Sequence, residues 1–193
     1  MNKENYKIYI YANIGLFVAA IFILALIFKP IIISDWLTIV SKALSLTVLA
    51  SFVFVKWLWK CSLFYSRLVP FPDLSGEWSG IIKTTYNDEN MQIPLKVIVT
   101  QDFFKVTVRL KTGESWSISN GAYFPMDADG KITHLYYTYM NTPNQDIRNR
   151  SEIHYGTTRL DFYNYPVESL EGEYWTSRRT VGRIELKRER NKH

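Results

Sequence analysis

The sequence predicts a hairpin of two transmembrane helices followed by an all-β domain, an antiparallel up-and-down barrel of about eight strands. Three observations carry that prediction. Two long apolar segments occupy residues 8–28 and 36–58. Excess positive charge is confined to residues 1–69, where seven Lys/Arg face two Asp/Glu, while residues 70–193 hold sixteen of each sign. After Pro70-Phe71-Pro72 the pattern changes to short alternating runs separated by turn residues. The expected division is a membrane hairpin over 1–69 and a cytosolic ligand-binding barrel over 70–193.

Ile8 to Phe28 is a run of 21 residues without a formal charge, close to the roughly 20 that a transmembrane helix requires. The run is longer than a signal-peptide core and no small-x-small cleavage site follows Phe28, so the segment is expected to be retained. The second apolar segment, from Trp36 to about Leu58, is interrupted by Lys42 and Lys56, and Lys29-Pro30 with Ser34-Asp35 supplies the turn. Lys3 and Lys7 precede the first helix, and Lys56, Lys60 and Arg67 follow the second. The positive-inside rule then places both termini in the cytoplasm. A single cysteine, Cys61, permits no internal disulfide or multi-cysteine zinc site and fits a reducing compartment. Trp36, Trp57 and Trp59 stand where interfacial anchors are expected. In the second helix Thr38, Ser41, Lys42 and Ser45 recur at helical spacing, a candidate surface for membrane assembly because small polar residues allow close helix approach. Lys42 reads either as a lining of that surface or as a lysine that snorkels to the headgroups.

The expected strands are 76–86, 91–101, 103–111, 114–124, 131–141, 151–162, 170–178 and 180–189. Phe104, Val106, Val108 and Leu110 alternate with Lys105, Thr107, Arg109 and Lys111, and Ile93, Leu95, Val97 and Val99 repeat the pattern. Period two with short connections implies antiparallel pairing of sequence neighbours. Asn87 to Asn90, Thr112-Gly113, Asp127 to Gly130 and Thr142 to Asn144 supply turns. No amphipathic helix is available to cover an open sheet, which favours closure; a β-sandwich is the alternative.

Motifs for catalysis are missing: there is no Walker A loop, no G-x-G-x-x-G and no H-E-x-x-H, and His134, His154 and His193 lack metal-ligand spacing. Neither an enzyme nor a cofactor or metal is expected. In Gly76-Glu77-Trp78-Ser79-Gly80 the serine falls one place late for a nucleophile elbow, and the segment reads as a tight barrel corner. Glu171 and Glu173 share one strand face, which an outward charged surface explains as well as an acid/base pair does. The balanced charge of 70–193 argues against binding a nucleic-acid polymer.

The sharper signal lies near the end of the chain. Tyr174, Thr176, Arg178, Thr180, Gly182, Ile184 and Leu186 share one parity, and Ile184 and Leu186 must face a core. Continuity places Arg178 inside; a turn between Ser177 and Thr180 would break it. Arg159, Trp116, Tyr136, Tyr137, Tyr139 and Tyr155 lie on other strands. Guanidinium and hydroxyl groups suit phosphates, and aromatic faces suit bases. The candidate ligand-binding set is Arg178, Thr176, Thr180, Tyr174, Arg159, Tyr155, Tyr137, Tyr139 and Trp116. The competing reading is a tyrosine-rich core with Arg178 paired to a local glutamate.

Leu74-Ser75-Gly76-Glu77-Trp78-Ser79-Gly80 and Leu170-Glu171-Gly172-Glu173-Tyr174-Trp175-Thr176, behind two apolar helices, resemble one group: the two-transmembrane β-barrel effectors of bacterial cyclic-oligonucleotide-based antiphage signalling (CBASS). The resemblance covers nearly the whole chain. It implies a receptor in the bacterial inner membrane for a cyclic dinucleotide made by a companion synthase, linked to that enzyme only through its product. It further implies homo-oligomerisation on activation, disruption of membrane lipids and cell death. Competing classes are a membrane-anchored lipocalin-like barrel for a lipid or apolar metabolite, and a scaffold whose barrel is filled by its own side chains.

Overall fold

A computed structural model describes residues 3–65, 69–85 and 91–189. Arg67, Tyr86 and the turn expected over Asn87 to Asn90 lie outside these residues, as does the side chain of Lys3. Contacts divide the chain into two units, Met1–Val69 and Pro70–His193.

In the first unit, α1 (Lys3–Phe28) and α2 (Ile33–Lys56) are followed by a 3-10 turn, Leu58–Lys60. Tyr6–Phe28 and Ile33–Lys56 are long and apolar enough to cross a bilayer, with mean hydropathies of 2.5 and 1.9. α2 starts before Trp36 because Asp35 caps it: Oδ2 accepts from the backbone N–H of Ile31 (3.0 Å) and Ile32 (3.2 Å). The helix stops at Lys56, short of Leu58, where the chain tightens into the 3-10 turn. Ile39, Ala43 and Thr47, four apart, form its buried stripe, and Ser51 Oγ donates to Asn13 Oδ1 of α1. Trp36 and Trp57 are exposed, whereas Trp59 is buried.

The second unit is a closed barrel of eight strands in sequence order: β1 (Gly76–Thr84), β2 (Met91–Gln101), β3 (Val106–Thr112), β4 (Ser115–Tyr123), β5 (His134–Pro143), β6 (His154–Asp161), β7 (Ser169–Thr176) and β8 (Val181–Arg188). Each pairs antiparallel with its neighbour, and β1 closes on β8 with Gly80 opposite Leu186. Gly80 and Gly172 mark sharp bends in the wall. A Cβ at Gly80 would run into the carbonyl of Glu185, and one at Gly172 into that of Arg159. The Gly-Glu-Trp-Ser-Gly segment is thus the opening of β1, with its corner at Gly80. A register shift between Ser119 and Gly121 interrupts β4, and Ser119 Oγ there accepts from the N–H of Val108 (3.0 Å).

One end of the barrel is plugged. Phe71, Leu74, Trp78, Phe103, Phe162 and Leu170 are buried there, and the Phe71 ring stacks on Phe124 at 5.3 Å. The segment from Pro70 to Ser75 folds across this end; its first three residues, Pro70-Phe71-Pro72, read from sequence as a stiff extended exit from the membrane. Gln101 accepts from the N–H of Leu74 (2.9 Å) and donates to the carbonyl of Pro72 (3.0 Å). Arg188 donates to the carbonyls of Asp73 (2.9 Å), Ser75 (2.6 Å) and Val167 (2.9 Å). Its guanidinium lies 4.4 Å from the Trp78 ring centroid, and Trp78 Nε1 donates to Leu74 O (3.0 Å).

Candidate ligand-binding site

The opposite end has a different lining. Strand register places Thr84, Gly182, Tyr174, Thr158 and Tyr137 in one row across β1, β8, β7, β6 and β5. A second row, nearer the rim, runs Thr176, Gly156, Tyr139 and Ser119, and a third pairs His154 with Asn141 and Ser117. All share parity with the buried Leu135, Leu160, Leu170 and Ile184, so these rows form the inner wall. The facing wall on β2 and β3 is apolar: Leu95, Val97, Val99, Val106 and Val108 are buried. The interior near the rim is therefore two-sided, with hydroxyls and phenols on one wall and aliphatic groups on the other.

The tyrosines fit because glycines face them. Tyr139 lies opposite Gly156, and Tyr174 opposite Gly182; a Cβ on either glycine would overlap the ring. Tyr174 donates to Thr84 Oγ1 (2.6 Å), and the Tyr137 and Tyr139 rings are 5.9 Å apart. Burial pushes the Tyr137 phenol up to about 12 and raises those of Tyr139 and Tyr174 as well. All three stay protonated hydroxyls, and Tyr174 spends its proton on Thr84.

Arg178 sits in the turn between β7 and β8, where Thr176 N–H donates to Thr180 O (3.0 Å) and Arg179 takes a left-handed φ of 63°. The turn breaks strand parity, yet the side chain folds back, half-buried, over the polar wall. Nη1 donates to Ser151 Oγ (3.2 Å) and Nη2 lies 3.3 Å from His154 Nε2. Its charge reaches Tyr139 and Tyr174, whose phenols it pulls down against the larger effect of burial. Thr176 and Thr180 share a 2.6 Å hydrogen bond beside it. Arg178, Thr176, Thr180, Tyr174, Tyr137 and Tyr139 are thus brought to one end of the barrel.

Three expected residues are not there. Arg159 lies between the inward Thr158 and Leu160, so it faces outward, in an ion pair with Asp161 at 3.0 Å and 4.0 Å from Glu173. Trp116 precedes the inward Ser117 and Tyr155 precedes the inward Gly156; both are exposed on the outer face. Tyr136 is outward as well, beside Tyr123 at 5.8 Å. Glu171 and Glu173 belong to the same charged exterior. Conversely, His154, Thr158, Thr84 and Ser151 join the site without having been expected. Parity with Leu160 and Trp78 marks the first three; Ser151 lies in a connection, where no periodicity applies.

The assembly candidates lie on α2. Thr38, Ser41, Lys42 and Ser45 are exposed, away from the buried Ile39–Ala43–Thr47 stripe. Thr38 donates to Ser34 O and Ser45 to Ser41 O, each at 3.0 Å, so their hydroxyls are satisfied within the helix. Lys42 Nζ stands 4.4 Å from the Phe28 ring centroid, in a groove lined also by Leu24, Ser41, Ser45 and Leu46. Among the described residues no cluster of His, Cys, Asp or Glu could hold a metal.

The family described as "Cap15, cyclic dinucleotide receptor domain" matches residues 69–188. The chain belongs to the Cap15 family. That match runs from the start of the plugging segment to the last residue of β8, so the Cap15 receptor domain is the barrel together with its plug. Over 155 residues the chain is 28% identical to CD-NTase-associated protein 15 of Staphylococcus schleiferi, covering 79% of this chain and 80% of the relative. It is 28% identical over 181 residues to CD-NTase-associated protein 15 of Escherichia albertii, covering 88% and 87%. The second alignment is long enough to include most of the helical hairpin as well as the barrel.

Proposed function

We propose that this Cap15-family chain is a non-enzymatic antiphage effector whose barrel takes a cyclic dinucleotide at the rim where Arg178 folds over the polar wall. The observation that carries the reading is a guanidinium within hydrogen-bonding distance of Ser151 and His154 and within electrostatic reach of Tyr139 and Tyr174. A phosphodiester offers the acceptors that Arg178, the threonines and the protonated phenols need, and the bases find ring faces and the aliphatic wall of β2 and β3. An apolar metabolite has no group that matches the hydroxyls and guanidinium of that wall.

In this reading α1 and α2 cross the bacterial inner membrane with the barrel and both termini in the cytoplasm, as the flanking lysines favour. Ligand favours the self-associated state by binding it more tightly. Association proceeds through the exposed Thr38, Ser41, Lys42 and Ser45 face, which lies away from the buried Ile39–Ala43–Thr47 stripe and borders α1 at Leu24 and Phe28. Clustered hairpins then disrupt the bilayer and kill the infected cell. The test is calorimetry of the full chain in detergent micelles against cyclic dinucleotides of uridine, adenosine and guanosine, followed by dye release from vesicles holding the protein. Binding of at least one nucleotide, release that depends on it, and loss of release in a Ser41→Leu/Ser45→Leu variant are expected. A panel in which nothing binds sinks the proposal.

A further inference from the structure

The structure assigns His154 and the connection carrying Ser151 to a positioning role: a neutral imidazole, held in one tautomer, aims the Arg178 guanidinium into the barrel. The assignment rests on the reading that Arg178 meets the ligand phosphate. Arg178 arises from an exposed turn, and a long side chain there loses much rotamer freedom if it is to point one way. Two anchors, Ser151 on the β5–β6 connection and His154 at the start of β6, restrict it. Ser151 Oγ accepts from Nη1, and His154 Nε2 lies 3.3 Å from Nη2. An arginine has no acceptor lone pair, so His154 Nε2 must itself be the acceptor and Nδ1 must carry the proton. The other ring nitrogen agrees: Nδ1 lies 3.0 Å from the carbonyl of Glu152, a partner that accepts only a donated N–H. His154 is buried (7% exposed), and burial together with Arg178 holds its pKa below the usual imidazole value.

Arg178, from the β7–β8 turn, is the charge that acts on His154, and the same guanidinium acts on Tyr139 of β5 and Tyr174 of β7. Both phenols stay protonated below neutrality. Imidazoles ordinarily gain their charge on acidification from about pH 7 to 5, and burial with Arg178 shifts that gain for His154 to the acid side. An imidazolium cannot accept from a guanidinium, so acid removes the anchor.

Affinity of the full chain in micelles for the tightest-binding cyclic dinucleotide of the panel tests the role, measured across that pH range. His154→Phe is expected to lose about tenfold at neutral pH, the value of one hydrogen bond to a charged group. The same change in an Arg178→Ala background is expected to lose nothing further. His154→Gln keeps an acceptor without a titrating proton, so its affinity is expected to stay near the wild-type level and not to weaken in acid. Additive losses in the double variant overturn the positioning role, as does wild-type binding that tightens in acid, which would make the imidazolium a direct phosphate ligand. Where His154→Phe fails to fold, the His154→Gln profile decides: retention of the wild-type acid loss overturns the role. Undiminished binding by Arg178→Ala removes instead the reading on which the role depends.

Discussion

The two ends of the barrel are built from the same strands with the same alternation, and they carry opposite chemistry. At the end where the chain enters, inward positions are occupied by Trp78, Leu170 and Leu186, and the segment Pro70 to Ser75 crosses beneath them with Phe103 and Phe162. At the other end the inward positions are Tyr139, Tyr174, Thr176 and Thr158, and Arg178 folds over them onto Ser151 and His154. Alternation decides which residues point inward; what crosses an end decides whether that end is core or receptacle. Apolar burial at one end, worth about 1.5–3 kcal/mol for each fully buried large side chain, offsets the cost of keeping hydroxyls and a guanidinium inside at the other.

Changes at either end should separate stability from binding. Trp78→Ala, at the plugged end, is expected to cost about 3–5 kcal/mol of stability in denaturant unfolding, since it leaves a cavity and strips Arg188 of its ring contact. Arg178→Ala, at the rim, is expected to weaken nucleotide binding by about 2 kcal/mol, roughly thirtyfold, in calorimetry. Its melting temperature should hardly move. If both variants lose stability and affinity together, the ends are not the separate devices their linings indicate.

A smaller effect should appear with pH. The folded barrel holds the pKa of His154 below the ordinary 6.5, so the folded state takes up the proton less readily than the unfolded chain. Stability from this group is full above that value and is lost as pH falls through it towards the lower folded value. A urea midpoint that declines in mild acid for the wild type, and declines less for His154→Gln, is the expected record. The smallest effects belong to the outer face. Trp116→Ala and Tyr155→Ala are each expected to change stability by no more than about 0.5 kcal/mol and to leave nucleotide affinity unaltered.

Much of the barrel was legible because alternation is a local property. β2 spans Met91–Gln101 as expected, and Tyr137, Tyr139, Tyr174 and Thr176 face inward as their parity requires. β5 starts at His134 rather than Lys131 because Asp127 Oδ1 accepts from the Lys131 N–H (2.7 Å) and holds that residue in a turn. Arg159, Trp116 and Tyr155 have the chemistry of the site, but each adjoins a residue of the opposite, inward parity. Aromatic character alone does not send a side chain inside. Arg178 was ambiguous for a sound reason: a turn resets the alternation, and only its contacts with Ser151 and His154 show where the side chain goes. Those partners, Ser151 on another connection and His154 at the start of β6, lie about two dozen residues away along the chain, and periodicity within a strand does not report which turn its end will meet.

Closure of β1 on β8 has a consequence for how the protein is made. A ribosome delivers β1 early and β8 late, and in between the growing chain is a meander with two unpaired edges. Arg178, Thr180 and Gly182 belong to the hairpin that emerges last, so a nascent chain carries most of the wall before it carries the guanidinium. The guanidinium arrives in the same step that zips the cylinder shut.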